Sequence, residues 1–326
     1  MYEDIVSLIS NNQEFVITSH VNPDGDAIGS EIALYQYLKK SGKNVKIINY
    51  SETPSNYTFL DKDRIIVCFD ESRDKETINK SDVIFILDTN DYSRVRTMAP
   101  FIRESKSKKI CIDHHLGLNK NDFDYFISDT DSPSTGEILY KFFKANGSDK
   151  IDNKIAEALY TAIMTDTGSF KFPRTDSETH TITADLLSYG VNPFDVYSEV
   201  YNKSSLGTLQ LLSRFLNNIK TAYDDRVAYS EVLQKDFVET KTDMYATEGF
   251  SQQLMSIESV QIGIIFTQTP KGVKISFRSK GNIPVNELAK EFGGGGHQNA
   301  AGTSIDGADI AKITEEVISK AGKYIK

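Results

Sequence analysis

Lys108-Lys109-Ile110-Cys111-Ile112-Asp113-His114-His115 is a short apolar run that stops on an acid and two imidazoles. A run of that length, bounded by polar residues, reads as a buried strand of a parallel sheet. Ligands of open α/β sheets bind just beyond the carboxyl ends of the strands, which is where Asp113, His114 and His115 fall. The chain has only five histidines, and two of them are adjacent here. Taken alone, the triplet also fits a pair of surface histidines in a turn. The clusters elsewhere decide between the two readings.

Working outward, Val83-Ile84-Phe85-Ile86-Leu87 is the strongest buried-strand pattern, and it ends on Asp88-Thr89-Asn90-Asp91. Upstream, Glu14-Phe15-Val16-Ile17-Thr18 reads as a first strand. It opens into Ser19-His20-Val21-Asn22-Pro23-Asp24-Gly25-Asp26-Ala27-Ile28-Gly29-Ser30. A helix follows, with Ile32, Leu34, Tyr35 and Leu38 at helical spacing and Gly42 as its stop. Residues 44–49 then form a strand, which completes a βαβ unit. Residues 65–69 are another short apolar run, and Tyr125-Phe126-Ile127 is expected as an edge strand. Ser132-Pro133 is expected to open a helix that runs towards Ala145. A further helix from Asn153 carries Ile155, Leu159, Ala162 and Ile163 and ends at Thr165-Asp166-Thr167-Gly168. Two more helical stretches span 179–188 and 193–201.

Strands alternating with helices predict a doubly wound, mainly parallel α/β domain over residues 1–190. The amphipathic segment 205–220, with Leu206, Leu209, Leu212, Phe215 and Ile219, is expected to lie in a helical connector over 191–222. Beyond it the texture changes to strands at 226–232, 260–268 and 273–279, the last two joined by a Thr-Pro-Lys-Gly turn. Helices are expected over 284–292 and 308–324. Residues 223–326 therefore read as a smaller α+β domain.

The length of 326 residues suits two domains, and 39% hydrophobic with 25% charged residues is an ordinary globular composition. No stretch of about 18 apolar residues occurs, and the N-terminus is acidic rather than signal-like. A cytoplasmic protein is expected. The two cysteines, Cys68 and Cys111, lie in apolar strand-like runs and read as buried thiols rather than a disulfide framework. A net charge of −9 argues against a nonspecific grip on long nucleic acid, which needs many Lys and Arg side chains. Small phosphorylated substrates remain open.

Four separated segments place carboxylates or imidazoles at a strand end or in a helix-linked loop: His20 with Asp24 and Asp26, Asp88, the Asp113-His114-His115 triplet, and Asp166. Each has a plain alternative as a turn, a cap or a loop acid. Like charges converging on one sheet edge repel unless cations neutralise them. Mixed imidazole and carboxylate donors suit first-row divalent metals, and a carboxylate-rich set leans to manganese or magnesium. A dinuclear metal site is the reading that unites the clusters.

These motifs carry a resemblance. The Asp113-His114-His115 triplet, His20-x-x-x-Asp24-Gly-Asp26-Ala-x-Gly-Ser, Asp88 after a strand, and Asp166-Thr-Gly resemble the DHH phosphoesterase family. Ser276-Phe277-Arg278-Ser279 and Gly293-Gly-Gly-Gly-His297-x-x-Ala-Ala-Gly302 resemble its associated C-terminal substrate domain. Within the family the chain is most similar to the two-domain NrnA-type oligoribonucleases and adenosine 3′,5′-bisphosphate (pAp) phosphatases. The resemblance implies that His20 and Asp24 hold one metal, that Asp26, His114 and Asp166 hold a second, and that Asp88 bridges both. It implies two divalent ions, manganese first. Asp113 would support the site, and His115 would contact the scissile phosphate.

In the second domain, successive small residues let backbone N–H groups approach an anion. Gly294, Gly295 and Gly296 with His297, and Arg278 with its bidentate fork, are the candidate substrate-binding residues. A flexible turn with a chance histidine is the alternative. Phe170-Lys171-Phe172-Pro173-Arg174 fits either a base-stacking and phosphate-binding loop or a packing loop. His180 reads as structural, in a helix, with no partner to name.

The expected function is metal-dependent hydrolysis of short oligoribonucleotides and of 3′-phosphorylated nucleotides such as pAp. The first domain cuts and the second holds the substrate's far end. The expected partners are short RNA and nucleotide bisphosphates, with neither long nucleic acid nor membrane, and homodimer formation is compatible with the sequence. Two other readings stay open: a pyrophosphatase or exopolyphosphatase of the same superfamily, and a non-catalytic nucleotide sensor.

Overall fold

The computed structural model describes residues 2–325. They divide into two compact units, residues 1–203 and 204–326. The stretch 191–222, expected as a connector, is shared between the two units rather than standing apart from both.

In the first unit the elements run α1 (Tyr2–Asn11), β1 (Glu14–Thr18), α2 (Gly25–Lys40), β2 (Asn44–Asn49), β3 (Ile66–Cys68), α3 (Glu71–Lys80) and β4 (Val83–Leu87). A 3-10 turn (Tyr92–Met98), α4 (Ala99–Glu104), β5 (Lys108–Asp113), β6 (Tyr125–Ser128), α5 (Thr135–Gly147), α6 (Asn153–Asp166), α7 (Ser177–Ser188) and α8 (Pro193–Tyr201) follow. The six strands form one sheet in the order β3-β2-β1-β4-β5-β6, and every pair is parallel.

Period-two alternation explains why both faces are covered. Phe15, Ile17, Val83, Phe85, Leu87, Ile110 and Ile112 point into a core shared with α1, α2, α5 and α6. Val16, Ile84, Ile86 and Cys111 point the other way, onto Ile78 of α3, Ile102 of α4, and Tyr92, Val95 and Met98 of the 3-10 turn. A strand buried on both faces has no polar positions to spare, hence the unbroken run Val83–Leu87. From β1 the order continues to β2 on one side and to β4 on the other. That reversal makes the carboxyl ends of β1 and β4 the switch point where such sheets bind ligands.

Three local expectations are corrected. Ser134, not Ser132, caps α5, accepting from the Glu137 N–H at 3.1 Å, while the Ser132 hydroxyl donates to the Ser134 carbonyl. Cys68 is exposed, because β3 is the sheet's outermost strand; Cys111, on interior β5, is buried. The segment 205–220 holds α9 (Leu206–Asn217), whose Leu211 and Phe215 are buried in the second unit's own core.

The second unit continues with β7 (Lys220–Ala222), β8 (Val227–Val232), α10 (Gln234–Thr240), α11 (Phe250–Met255), β9 (Ile262–Thr269) and β10 (Gly272–Ser279). It closes with α12 (Val285–Lys290), β11 (Gly295–His297), β12 (Ala300–Asp306) and α13 (Ile310–Ala321). Its sheet has the order β11-β12-β10-β9-β8-β7, antiparallel except for β8 beside β9. One face packs on α12 and α13 through Val273, Ile275, Phe277, Leu288 and Val317. The other packs on α9 and α11 through Ala228, Val232, Phe250 and Leu254. No helix of the described residues is long and apolar enough to cross a membrane.

Candidate metal centre

Four segments of the first unit deliver their polar side chains to the carboxyl edge of its sheet. His20 follows β1, and Asp24 caps α2 with one carboxylate oxygen, accepting from the Asp26 and Ala27 N–H groups at 3.1 Å. Asp88 follows β4 with φ 56°, a left-handed conformation that Asp tolerates better than most residues, and its N–H is tied to the Ile112 carbonyl of β5 at 3.0 Å. Asp113 ends β5, with His114 and His115 directly after it. Asp166 is the last residue of α6.

Glycines bring α6 this close. A Cβ on Gly25 would sit 2.4 Å from Thr165 Oγ1, one on Gly29 2.4 Å from the Ala158 carbonyl, and one on Gly136 2.5 Å from Ala162 Cβ. The Asp-Gly-Asp-Ala-Ile-Gly stretch therefore does two jobs at once. It presents carboxylates, and it removes the side chains that would push α6 and Asp166 away.

Within the cluster two of the three imidazoles are oriented by a backbone carbonyl. His20 Nδ1 lies 2.9 Å from the Val21 carbonyl, an acceptor only, so Nδ1 carries the proton and donates. The lone pair of Nε2 then faces Asp88 Oδ2 at 3.2 Å and Asp24 Oδ2 at 3.8 Å. His114 repeats the arrangement, with Nδ1 3.2 Å from the Ser132 carbonyl. Its Nε2 lies 3.3 Å from Asp166 Oδ2, 3.5 Å from Asp88 Oδ1 and 3.8 Å from Asp26 Oδ2. Lone pairs converging on carboxylates repel unless a cation, proton or metal, lies between them. His115 differs: its Nδ1 bonds Asp113 Oδ1 at 2.6 Å, and it lies 3.7 Å from Asp88. Asp113 thus orients His115, whereas His114 is held by Ser132.

Three groups have ligand atoms all within 4.8 Å of one another: His20, Asp24 and Asp88; Asp26, His114 and Asp166; and Asp88, His114 and His115. Asp88 belongs to two of the three without sharing an oxygen, because Oδ2 faces His20 and Oδ1 faces His114.

The electrostatics reflect the crowding. Burial, then Asp88 and Asp166, pushes the Asp26 carboxyl well above its usual range. Burial likewise raises Asp166 to about 7, although a third of its side chain is open to solvent. Burial works against a charged Asp88 too, but its bonds to His114 and His20 outweigh it and hold that carboxyl well below the normal range. Burial also opposes charge on the imidazoles, yet Asp88 and its neighbours raise His20 to about 9 and His114 to about 10. The donor set calls for added positive charge, and two imidazole–carboxylate groups sharing one carboxylate fit a pair of divalent cations.

Several supporting residues escape a reading of the sequence. The first two N–H groups of α5, from Thr135 and Gly136, donate to the two Asp26 oxygens at 2.7 and 2.9 Å, and the Thr135 hydroxyl reaches Asp88 Oδ1 at 3.2 Å. Backbone donors at a helix start carry no side-chain signature. Glu31 is fully buried beneath the β1 end, accepting from Asn49 Nδ2 at 2.8 Å, while Asn49 Oδ1 accepts the Ser19 N–H at 3.2 Å.

The other candidates lie elsewhere. After Asp166, Gly168, Ser169 and Phe170 are consecutively left-handed, and Phe172 folds over Gly168, where a Cβ would lie 2.5 Å from its ring. Phe170 packs on Tyr160, and His180 does have a partner: its ring lies 5.6 Å from that of Phe170. Arg278, Gly294, Gly295, Gly296 and His297 belong to the second unit. Arg278 and His297 both register against Ala300 of β12, so their side chains share one sheet face, about 10 Å apart across two strand spacings. The glycines do not form a free loop. Gly295 and Gly296 are in β11, and a Cβ on Gly294 would meet the Gly302 carbonyl at 2.3 Å.

Residues 14–163 match the model of the DHH family N-terminal domain, and residues 224–323 match that of the DHHA1 domain. The chain is 28% identical over 317 residues to the bifunctional oligoribonuclease and PAP phosphatase NrnA of Bacillus subtilis, covering 95% of both chains. It is 27% identical to the Thermus thermophilus protein of the same name, covering 93% of this chain and 87% of that one. It also resembles the crystal structure of an exopolyphosphatase-related protein from Bacteroides fragilis. That likeness has a TM-score of 0.93 and 32% identity, and covers 98% of this chain and 95% of the other.

Proposed function

The chain belongs to the DHH family, and from that premise we propose that it is a phosphoester hydrolase of short oligoribonucleotides and of 3′-phosphorylated nucleotides such as pAp. Support for the substrate class comes from relatives that carry both activities in their names and align over nearly the full length of both chains. The observation that carries the chemistry is the pair of Nε2 atoms, on His20 and His114, facing opposite oxygens of the single Asp88 carboxylate.

In this reading His20, Asp24 and Asp88 would hold one divalent ion, and Asp26, His114, Asp166 and Asp88 a second, with manganese favoured by the carboxylate-rich set. Bound there, such ions supply charge neutralisation for phosphoryl oxygens and acidify an attacking water. The chain's own residues do the rest. The Val21 and Ser132 carbonyls fix the two ligating imidazoles, as hydrogen-bonded partners of metal ligands generally do. Asp113 holds the His115 ring by Nδ1, and Nε2 would be the nitrogen that meets the scissile phosphate and passes a proton to the leaving oxygen. In the second unit, Arg278 and His297 would bind a phosphate group distant from the one cleaved, with N–H groups of the Gly294–Gly296 stretch beside them.

A second reading, exopolyphosphatase, is favoured by the description of the Bacteroides fragilis structure. One panel separates the two. With manganese present, pAp, a diribonucleotide, pyrophosphate and polyphosphate are compared at equal concentration. Turnover of pAp and the dinucleotide above the inorganic substrates is the expected result. Inert nucleotides beside rapid polyphosphate cleavage would give the case to the second reading, and metal uptake without turnover would leave only a sensor.

A further inference from the structure

We propose that Arg94 binds the phosphoryl group undergoing cleavage, its guanidinium meeting the non-bridging oxygens; this rests on the phosphoesterase reading above. Arg94 lies in the 3-10 turn Tyr92–Met98, six residues beyond Asp88. Its carbonyl accepts the Val21 N–H at 2.7 Å, so its backbone is tied to the residue that follows His20. Its own N–H donates to the Asp91 carbonyl at 3.0 Å, and buried Tyr92, Val95 and Met98 anchor the turn from below. The side chain takes no part in that anchoring.

Arg94 is half-buried, and among the described residues its guanidinium makes no side-chain hydrogen bond and no ion pair. That is unlike Arg73, which pairs with Asp74, and Arg214, which pairs with Asp236 and Glu239, in a chain of net charge −9. The bond to Val21 holds the Arg94 turn against the loop that carries His20 and Asp24. The neighbouring carboxylates are already engaged: Asp88 faces inward to His20 and His114, and Asp24 divides itself between the start of α2 and His20. An uncompensated guanidinium, on a turn whose backbone is tied to the His20 loop, has the planar donor fork that phosphate oxygens match. Charge on those oxygens is what a preorganised donor stabilises best during phosphoryl transfer.

The placement separates Arg94 from Arg278. A residue at the reacting phosphate acts on every substrate, whereas one at a distal phosphate acts only on substrates that have one. The experiment compares R94A and R94K with the wild type on a 5′-phosphorylated diribonucleotide, which has a second phosphate, and on bis-p-nitrophenyl phosphate, which has none, both with manganese. In parallel, the manganese-induced rise in Tm is measured for each protein. R94A should lose on the order of 10²–10³-fold in kcat on both substrates, the usual cost of removing one such donor. R94K should recover part of it, added guanidinium chloride at millimolar concentration should raise R94A alone, and the manganese-induced rise in Tm should be retained. Activity of R94A within about threefold of wild type would overturn the proposal. So would a loss confined to the dinucleotide, or a loss accompanied by disappearance of the manganese-induced rise in Tm, since the last makes Arg94 a prop for His20. If the wild type cleaves only polyphosphate, the nucleotide reading fails while Arg94 is judged by the same criteria on that substrate. A wild type that cleaves none of these sinks both.

Discussion

The polar edge of the first sheet and the β11–β12 corner of the second are built on opposite plans. At the first, four of the donors are held from behind: His20 by Val21, His114 by Ser132, His115 by Asp113, and Asp26 by two N–H groups of α5. His20, Asp26, Asp88 and His114 are almost wholly buried. At the second, Gly295, Gly296 and His297 are exposed on a three-residue edge strand, and among the described residues Arg278 bonds only the carbonyl of its own neighbour, Phe277. A site that breaks bonds, as proposed for the first region, tolerates little slack, and its donors come from four segments locked into one core. A hairpin that would grip one end of a substrate, as proposed for the second, can adapt to what it meets.

The sharpest way to break this contrast is Asp88→Asn. Asn keeps the left-handed backbone at φ 56° and the shape, and removes only the shared charge. Turnover should fall more than about a thousandfold on every substrate, with the fold intact by circular dichroism. More than a few per cent residual activity would mean that Asp88 is not the shared ligand. The manganese-induced rise in Tm should shrink as well, and EDTA should lower the Tm of the wild type but barely that of the variant.

Next in size is Arg278→Ala, expected to cost on the order of 10- to 100-fold in kcat/KM on pAp and 5′-phosphorylated dinucleotides. Bis-p-nitrophenyl phosphate, which has no second phosphate to grip, should change little. Equal losses on both would erase the distinction between the two regions. Gly29→Ala tests the scaffold rather than the chemistry. A methyl group 2.4 Å from the Ala158 carbonyl must part α2 from α6, at about 1–3 kcal/mol of stability by denaturant unfolding. Activity should fall with it, because Asp166 rides on α6. The smallest effect belongs to Gly296→Ala. Its φ of 140° disfavours a side chain, so the hairpin loosens and KM for nucleotides rises severalfold while kcat holds. A fall in kcat instead would place the hairpin in the chemistry.

Much of the first region is legible in the residues because its donors stand at the ends of apolar runs. Val83–Leu87 announces Asp88, and the run into Asp113 announces the histidines that follow. What hides is whatever depends on backbone: the α5 N–H groups that hold Asp26, and the Arg94 carbonyl that pins the His20 loop. Ser132-Pro133-Ser134 offers two adjacent caps, and only geometry chooses Ser134. In the second region β11 and β12 are spelled with glycine, alanine and serine, which lack the apolar alternation that marks a strand. Their glycines look like a loop, and pairing with a neighbour makes them a sheet edge. The stretch 205–220 is amphipathic, which shows that it is a helix but not whose core it joins; Leu211 and Phe215 answer that in favour of the second unit.

The contrast between the two cysteines has a practical consequence. Burial pushes the Cys111 thiol far above its usual range and seals it on β5, whereas Cys68 stands exposed on the outermost strand of the same sheet. A maleimide dye will therefore couple to Cys68 alone in the folded protein, with no residue removed first. Adding one engineered cysteine on the solvent side of α13 turns that native handle into half of a fluorescence-transfer pair. Whether substrate changes the distance between the two dyes then becomes a single-molecule measurement.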